Sequence, residues 1–157
     1  MAPCENLLGT GNGTFQAKTD YATGDGASSV AVADVNGDAR LDIITTNYYG
    51  HSSSVLLGNG TGTFQAKTDY TTGANPNSVA VADLNGDGKL DIITANSGAN
   101  TSSVLFGTGT GTFLAKTDYT TGSTPLSVAV ADMNGDARLD IITANNLGTS
   151  SSLLLNR

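Results

Sequence analysis

One unit is written three times along this chain, at a fixed interval and without a slip. Phe15, Phe64 and Phe113 are 49 residues apart, and so are Asp34, Asp83 and Asp132. Val30–Thr45 reads VAVADVNGDARLDIIT, Val79–Thr94 reads VAVADLNGDGKLDIIT and Val128–Thr143 reads VAVADMNGDARLDIIT. No residue is inserted or lost between copies, which predicts one segment over 1–157 with repeats at 7–55, 56–104 and 105–153. Units of this size cannot bury an apolar face alone and must stack on their neighbours.

Composition selects the kind of unit. The chain has 20 Gly and no Trp, and only 13% of its 157 residues are charged. Thr and Ser abound while Glu5 is the single glutamate, a mixture that starves helices and suits strands joined by tight turns. Four strand signals follow one another in each unit. In the second they are strand A at Ser78–Asp83, B at Leu90–Asn96, C at Ser103–Phe106 and D at Thr112–Tyr119. Small apolar residues on both faces of A predict a strand buried on both sides and nearest a central axis. Four antiparallel strands recurring near 50 residues predict an all-β fold, a β-propeller of four-stranded blades. Helical solenoids lack support because the 3.6-residue period is absent, and WD40 blades need a Trp-Asp pair.

The densest chemistry lies between strands A and B, where D-x-N-G-D-x-x-x-D recurs. The residues are Asp34, Asn36, Asp38 and Asp42, then Asp83, Asn85, Asp87 and Asp91, then Asp132, Asn134, Asp136 and Asp140. These loops hold 9 of the 14 acidic residues. Three carboxylates within nine residues repel one another unless a cation compensates. With a carbonyl near position 7 (Arg40, Lys89, Arg138), each loop offers five to six oxygens, a donor set suited to calcium, about three ions per chain. Soft metals are disfavoured because no Cys or His recurs. A plain Asn-Gly hairpin with flanking Asx turns explains Asn36 and Gly37, though not the aspartates at positions 1, 5 and 9 together. An EF-hand is excluded: it needs Gly at position 6 and Glu at 12, where Gly stands at 4 and Thr45, Thr94 and Thr143 stand at 12.

VAVADLNGDGKLDIITAN, together with GNGTGTF, resembles the FG-GAP/VCBS repeat of integrin α-subunit propellers and many secreted bacterial and fungal proteins. The resemblance runs from Leu7 to Leu155. It implies calcium in each A–B loop and a seven-bladed ring as the common form, from which three repeats depart.

Leu7–Tyr21 is expected to supply a C–D pair and Ser127–Leu155 strands A, B and C without D, so Thr14–Tyr21 is a D strand in search of a sheet. Two chains joined head to tail give six blades, within the usual range of four to eight, which predicts a homodimer; a homotrimer is the alternative.

A net charge of −7 repels nucleic acid and anionic lipid, and no apolar run is long enough to insert into a membrane. Met1–Asn6 has no basic-then-apolar leader, as expected of a mature segment. Cys4 and His51 are single and unrepeated, and Ser52–Ser54 lack a base and orienting acid, so no enzyme is expected. A calcium-binding, lectin-like or adhesive module, extracellular or at a cell surface, fits best, with a carbohydrate or cell-surface ligand. The alternative is a purely structural piece, a fragment or engineered minimal propeller whose repeats serve assembly alone. Tyr21, Tyr70 and Tyr119 recur and are expected to pack strand D. Tyr48 and Tyr49 do not recur (Ser97-Gly98 and Asn146-Leu147 stand in their place), which makes them candidate ligand contacts. Asn12, Asn59 and Asn100 open N-x-Thr/Ser triplets, relevant only in a eukaryotic secretory route.

Overall fold

The computed structural model describes residues 4–6 and 8–157. Among them are thirteen strands and no helix, hence no helix long and apolar enough to cross a membrane. Strands β3 (Ala27–Ala33), β4 (Asp42–Asn47), β5 (Ser52–Leu56) and β6 (Thr68–Thr71) form one four-stranded antiparallel sheet. Strands β7 (Pro76–Ala82), β8 (Asp91–Asn96), β9 (Thr101–Leu105) and β10 (Thr117–Thr120) form the second. Strands β11 (Pro125–Ala131), β12 (Asp140–Asn145) and β13 (Ser150–Leu154) form a third sheet of three, and β1 (Cys4–Asn6) pairs only with β2 (Thr19–Tyr21). Each larger sheet is propeller-like: strands A to D in chain order, with the A strands β3, β7 and β11 side by side.

The stack is held through the Ile-Ile pair of every B strand. Neighbouring residues on a strand point to opposite faces, so Ile92 enters the core between the first and second sheets and Ile93 the core between the second and third. The first core gathers Val35, Ile44, Val55, Val79, Ile92, Leu105 and Phe113. The second gathers Ile93, Ala95, Val104, Val128 and Ile141.

Three expectations change in detail. Strand A is the least buried of the inner strands, half-exposed along much of β3 and β7, whereas β4 and β8 are buried throughout. Among the described residues the inner edge of each sheet has no further strand beyond it, so small residues there line a surface rather than a core. Strand D is shorter than Thr112–Tyr119. Gly107 and Phe113 meet only in an isolated bridge and Leu114 N donates to Phe106 O, because the Gly-Thr run makes a hairpin before the strand begins. The C strand expected from Leu7 is at Cys4–Asn6, with position 7 outside the described residues, and D is Thr19–Tyr21 rather than Thr14–Tyr21.

Candidate functional site

The A–B loops are three near-copies of one exposed knot. In the first, Asp34 Oδ1 accepts from the amides of Gly37 (2.8 Å), Asp38 (3.2 Å) and Asn36 (3.3 Å), and Oδ2 accepts from Ala39 N (2.8 Å). Asn36 Oδ1 takes Asp38 N at 3.0 Å, and Asp38 Oδ1 takes Arg40 N at 2.9 Å. Asp83, Asn85 and Asp87 repeat the arrangement with Gly86, Gly88 and Lys89 N. Asp132, Asn134 and Asp136 do so with Gly135, Ala137 and Arg138 N. Wrapping a chain around a carboxylate this tightly demands left-handed backbone at position 6. The middle copy meets it with Gly88, while Ala39 and Ala137 take φ of 63° and 66°.

The charges respond to this cradle. Burial opposes ionisation of Asp34, but the amides of Ala39, Gly37, Asp38 and Asn36 outweigh it and hold the carboxyl below its ordinary value. The Lys89 amide is the main cause of the lowering at Asp87, and the Ala137 amide at Asp132. Arg40 lies 3.8 Å from Asp38 and Lys89 3.6 Å from Asp87, both ion pairs exposed to water.

Position 9 does different work. Asp42, Asp91 and Asp140 are fully buried. Asp42 accepts from Val35 N (2.9 Å) and Gly58 N (2.7 Å), Asp91 from Leu84 N and Gly107 N, and Asp140 from Met133 N and Asn156 N. Each carboxylate ties the start of the loop to the end of strand C. For Asp91, burial pushes the carboxyl above its ordinary value, against the amides of Gly107 and Leu84 and with the help of Asp87 and Asp83.

Tyr48 and Tyr49 sit on the β4–β5 turn with rings edge to face, centroids 5.0 Å apart. Tyr49 is 68% exposed and lies over Gly26, where an added Cβ would meet its Cδ2 at 2.6 Å. Asn75 Nδ2 donates to Tyr48 O at 3.3 Å, and Asn75 N donates to His51 Nδ1 at 3.0 Å. Tyr21 and Tyr70 are packing residues, each set edge-on against Phe64 or Phe113 at 5.2 Å.

The FG-GAP-like repeat description matches residues 6–45, 40–94 and 83–143. The chain belongs to the FG-GAP-like repeat family. A comparison with curated proteins returned no match. Among solved structures, the Photorhabdus luminescens Tc holotoxin pore is similar in fold, with a TM-score of 0.57 at 19% identity. The likeness covers 98% of this chain and 8% of that one.

In this FG-GAP-like chain the loop donors are all hard oxygens, as a calcium site requires. The structure commits those oxygens to loop amides, and among the described residues no three acidic, His or Cys side chains converge as a metal-holding group. Each of these oxygens carries two lone pairs: Asp34 Oδ1 is already taken up by three amides, whereas Asp34 Oδ2, Asn36 Oδ1 and Asp38 Oδ1 each accept one amide and retain acceptor capacity. Asp42 is the most buried of the five expected ligands: it is fully buried, Asp34 and Asn36 are half-buried, and Asp38 and Arg40 are exposed.

Sequence reasoning missed a polar relay that runs from a buried asparagine to an exposed aspartate of strand D. Asn47 Nδ2 donates to Ser52 Oγ (3.0 Å) and Ser54 Oγ (2.8 Å), and Ser54 Oγ donates to Asp69 at 2.6 Å. Asn96, Ser103 and Asp118 repeat it in the second sheet. Gly24 and Gly73 are pressed against these asparagines, leaving no room for a Cβ. The signal was present in the recurring T-x-N and T-D-Y letters and in a Ser or Thr followed two residues on by Ser (Ser52 and Ser54, Thr101 and Ser103).

Proposed function

We propose that the chain is a calcium-stabilised propeller-like binding module without catalytic activity, lectin-like or adhesive, acting outside the cell or at its surface. The observation that carries this reading is the threefold recurrence of exposed aspartate loops whose charge is offset by backbone amides and, in two loops, by one water-exposed basic side chain. Calcium at Asp34, Asn36, Asp38, Arg40 O and Asp42, and at the equivalent residues of the other loops, would supply fixed positive charge at each knot. Three ions change the formal charge from −7 to −1. The exposed ring of Tyr49, braced edge-on by half-buried Tyr48 beside Asn75, offers an aromatic face suited to stacking on a sugar ring.

Calorimetric titration with calcium tests the metal, the expected result being about three sites per chain and a melting temperature that falls on adding EDTA. A glycan array with and without chelator tests the ligand, with loss of signal in a Tyr49→Ala variant expected. A blank array on protein that binds calcium would favour the second reading, a structural piece, which the near-identity of the repeats supports.

A further inference from the structure

The two ends of the stack carry complementary halves of one blade. At the carboxyl end, β11, β12 and β13 form an A-B-C sheet whose C strand has a free edge among the described residues. At the amino end, β2 is a D strand already seated against the first sheet through the Tyr21–Phe64 contact and Tyr21 Oη to Gly62 O at 3.3 Å. Tyr70 makes the same two contacts from the first sheet to the second, with Phe113 and Gly111 O. So β2 stands where the D strand of a preceding blade belongs.

Its companion there departs from the repeat. In both complete sheets the C strand places Ser-Ser-Val opposite Tyr-Asp-Thr: Ser53, Ser54 and Val55 face Tyr70, Asp69 and Thr68, and Ser102, Ser103 and Val104 face Tyr119, Asp118 and Thr117. Against β2 these register positions hold Cys4, Glu5 and Asn6, which sets Glu5 opposite Asp20. The sequence that does match is Ser151, Ser152 and Leu153 of β13. Ser152 Oγ already accepts from Gly122 N (2.8 Å) and Asn145 Nδ2 (2.9 Å), just as Ser54 and Ser103 accept from their own glycine and asparagine. What Ser54 and Ser103 also have is an aspartate to donate to, Asp69 or Asp118.

The apolar faces agree. Val30 is 57% exposed while its equivalents Val79 and Val128 are buried by the preceding sheet. Leu153 is 48% exposed while its equivalents Val55 and Val104 are buried by the following one. Within the chain, Val55 and Val79 share one core and Val104 and Val128 the other. The next pair in that series is Leu153 with a Val30 from outside the chain.

We propose that two copies of the 157-residue chain assemble head to tail, β1 yielding its place on β2 to β13 of the other copy. In this register Ser152 donates to the partner's Asp20, Leu153 packs on the partner's Val30, and Tyr119 receives the partner's Phe15. The exchange happens twice, closing six blades from two chains, and β1 is a placeholder that occupies the strand until the partner arrives.

Light scattering on the whole chain, across a concentration series, is expected to give two chain masses. One chain mass at every concentration overturns the proposal. Leu153→Arg and Val30→Glu, both on exposed positions that leave the sheets folded by circular dichroism, are each expected to give one chain mass. If either retains two, the interface lies elsewhere and the proposal fails. Mixing the two variants is the sharper test, since a head-to-tail pair then has one unaltered interface and one Arg–Glu interface. Recovery of two chain masses in the mixture, with one of each variant, is expected; a mixture that stays at one chain mass refutes the arrangement. Should Leu153→Arg unfold, Phe15→Ala replaces it, with weaker association expected and unchanged association counting against the proposal.

Discussion

The second and third sheets are written in nearly the same letters and live in different surroundings. Strand β8 is buried at all six positions, whereas in β12 Ile142 is half-exposed and Ala144 is exposed. Strand β9 is buried over Ser102–Leu105 and its counterpart β13 is open along most of its length. The difference is entirely one of neighbours: the second sheet has a sheet on each side and the third has one. Burial in a stacked fold is therefore a property of position in the stack, and equal sequences contribute unequal stability.

Equal substitutions in the two sheets break or sharpen that statement. Ile93 and Ile142 occupy the same repeat position. Ile93→Ala is expected to cost about 3–5 kcal/mol and Ile142→Ala about 1 kcal/mol, by urea denaturation in the Val30→Glu background, where both sheets are compared without a partner. Equal losses would break the comparison. Asp91→Ala, which strands the amides of Leu84 and Gly107, is expected to cost about 2–4 kcal/mol, against about 1–2 for Asp140→Ala at the open end. Calcium removal comes next: at millimolar calcium, with dissociation constants of about 10⁻⁴ to 10⁻³ M, three sites contribute about 1–4 kcal/mol. Because the loops are alike, Asp83→Ala and Asp132→Ala are expected to remove equal shares of the calcium-dependent rise in melting temperature. Ser103→Ala is expected to cost about 1 kcal/mol by breaking the relay to Asp118, and Ser152→Ala only a few tenths in the same background.

Acid is the mildest probe. Asp34, Asp87 and Asp132 have folded-state values below their ordinary one, near 3.9, so the folded chain binds fewer protons than the unfolded. Their contribution is complete above the unfolded value and is lost as pH falls through the folded one, below about pH 4. Asp91 has the opposite sign: its raised carboxyl favours the folded chain at low pH and loses that contribution as pH rises through the raised value. In calcium-free buffer, Asp91→Asn is therefore expected to steepen the acid-side loss of melting temperature, and a shallower slope would contradict the burial of that carboxyl.

Much of this was legible in advance, because a 49-residue period names the stacking unit and alternation names its strands. The A–B loops were readable from the clustering of Asp34, Asn36 and Asp38 alone. The burial of strand A was misjudged, since Val79 and Ala80 look alike as letters and only the inner edge of the sheet separates them. The length of strand D was overstated because Thr112 and Phe113 have strand propensity, while the glycines before them set a hairpin. Asp42 reads as one more loop carboxylate, but its two bonded amides come from Val35 and from Gly58, sixteen residues on, which no local window joins. The Asn47 relay was hidden for a related reason, its members lying on three different strands and Asp69 fifteen residues beyond Ser54.

The paired isoleucines of each B strand have a consequence for how such a chain comes apart. A unit that presents grease on both sides is held by two contacts in the middle of the row and by one at its margin, so unravelling starts at the margins and moves inward. In the Val30→Glu background, where no partner closes the row, amide exchange is accordingly expected to be fastest in β11–β13 and slowest in β8. Lengthening the row adds a protected interior each time, while the number of vulnerable margins stays at two until the row bites its own tail.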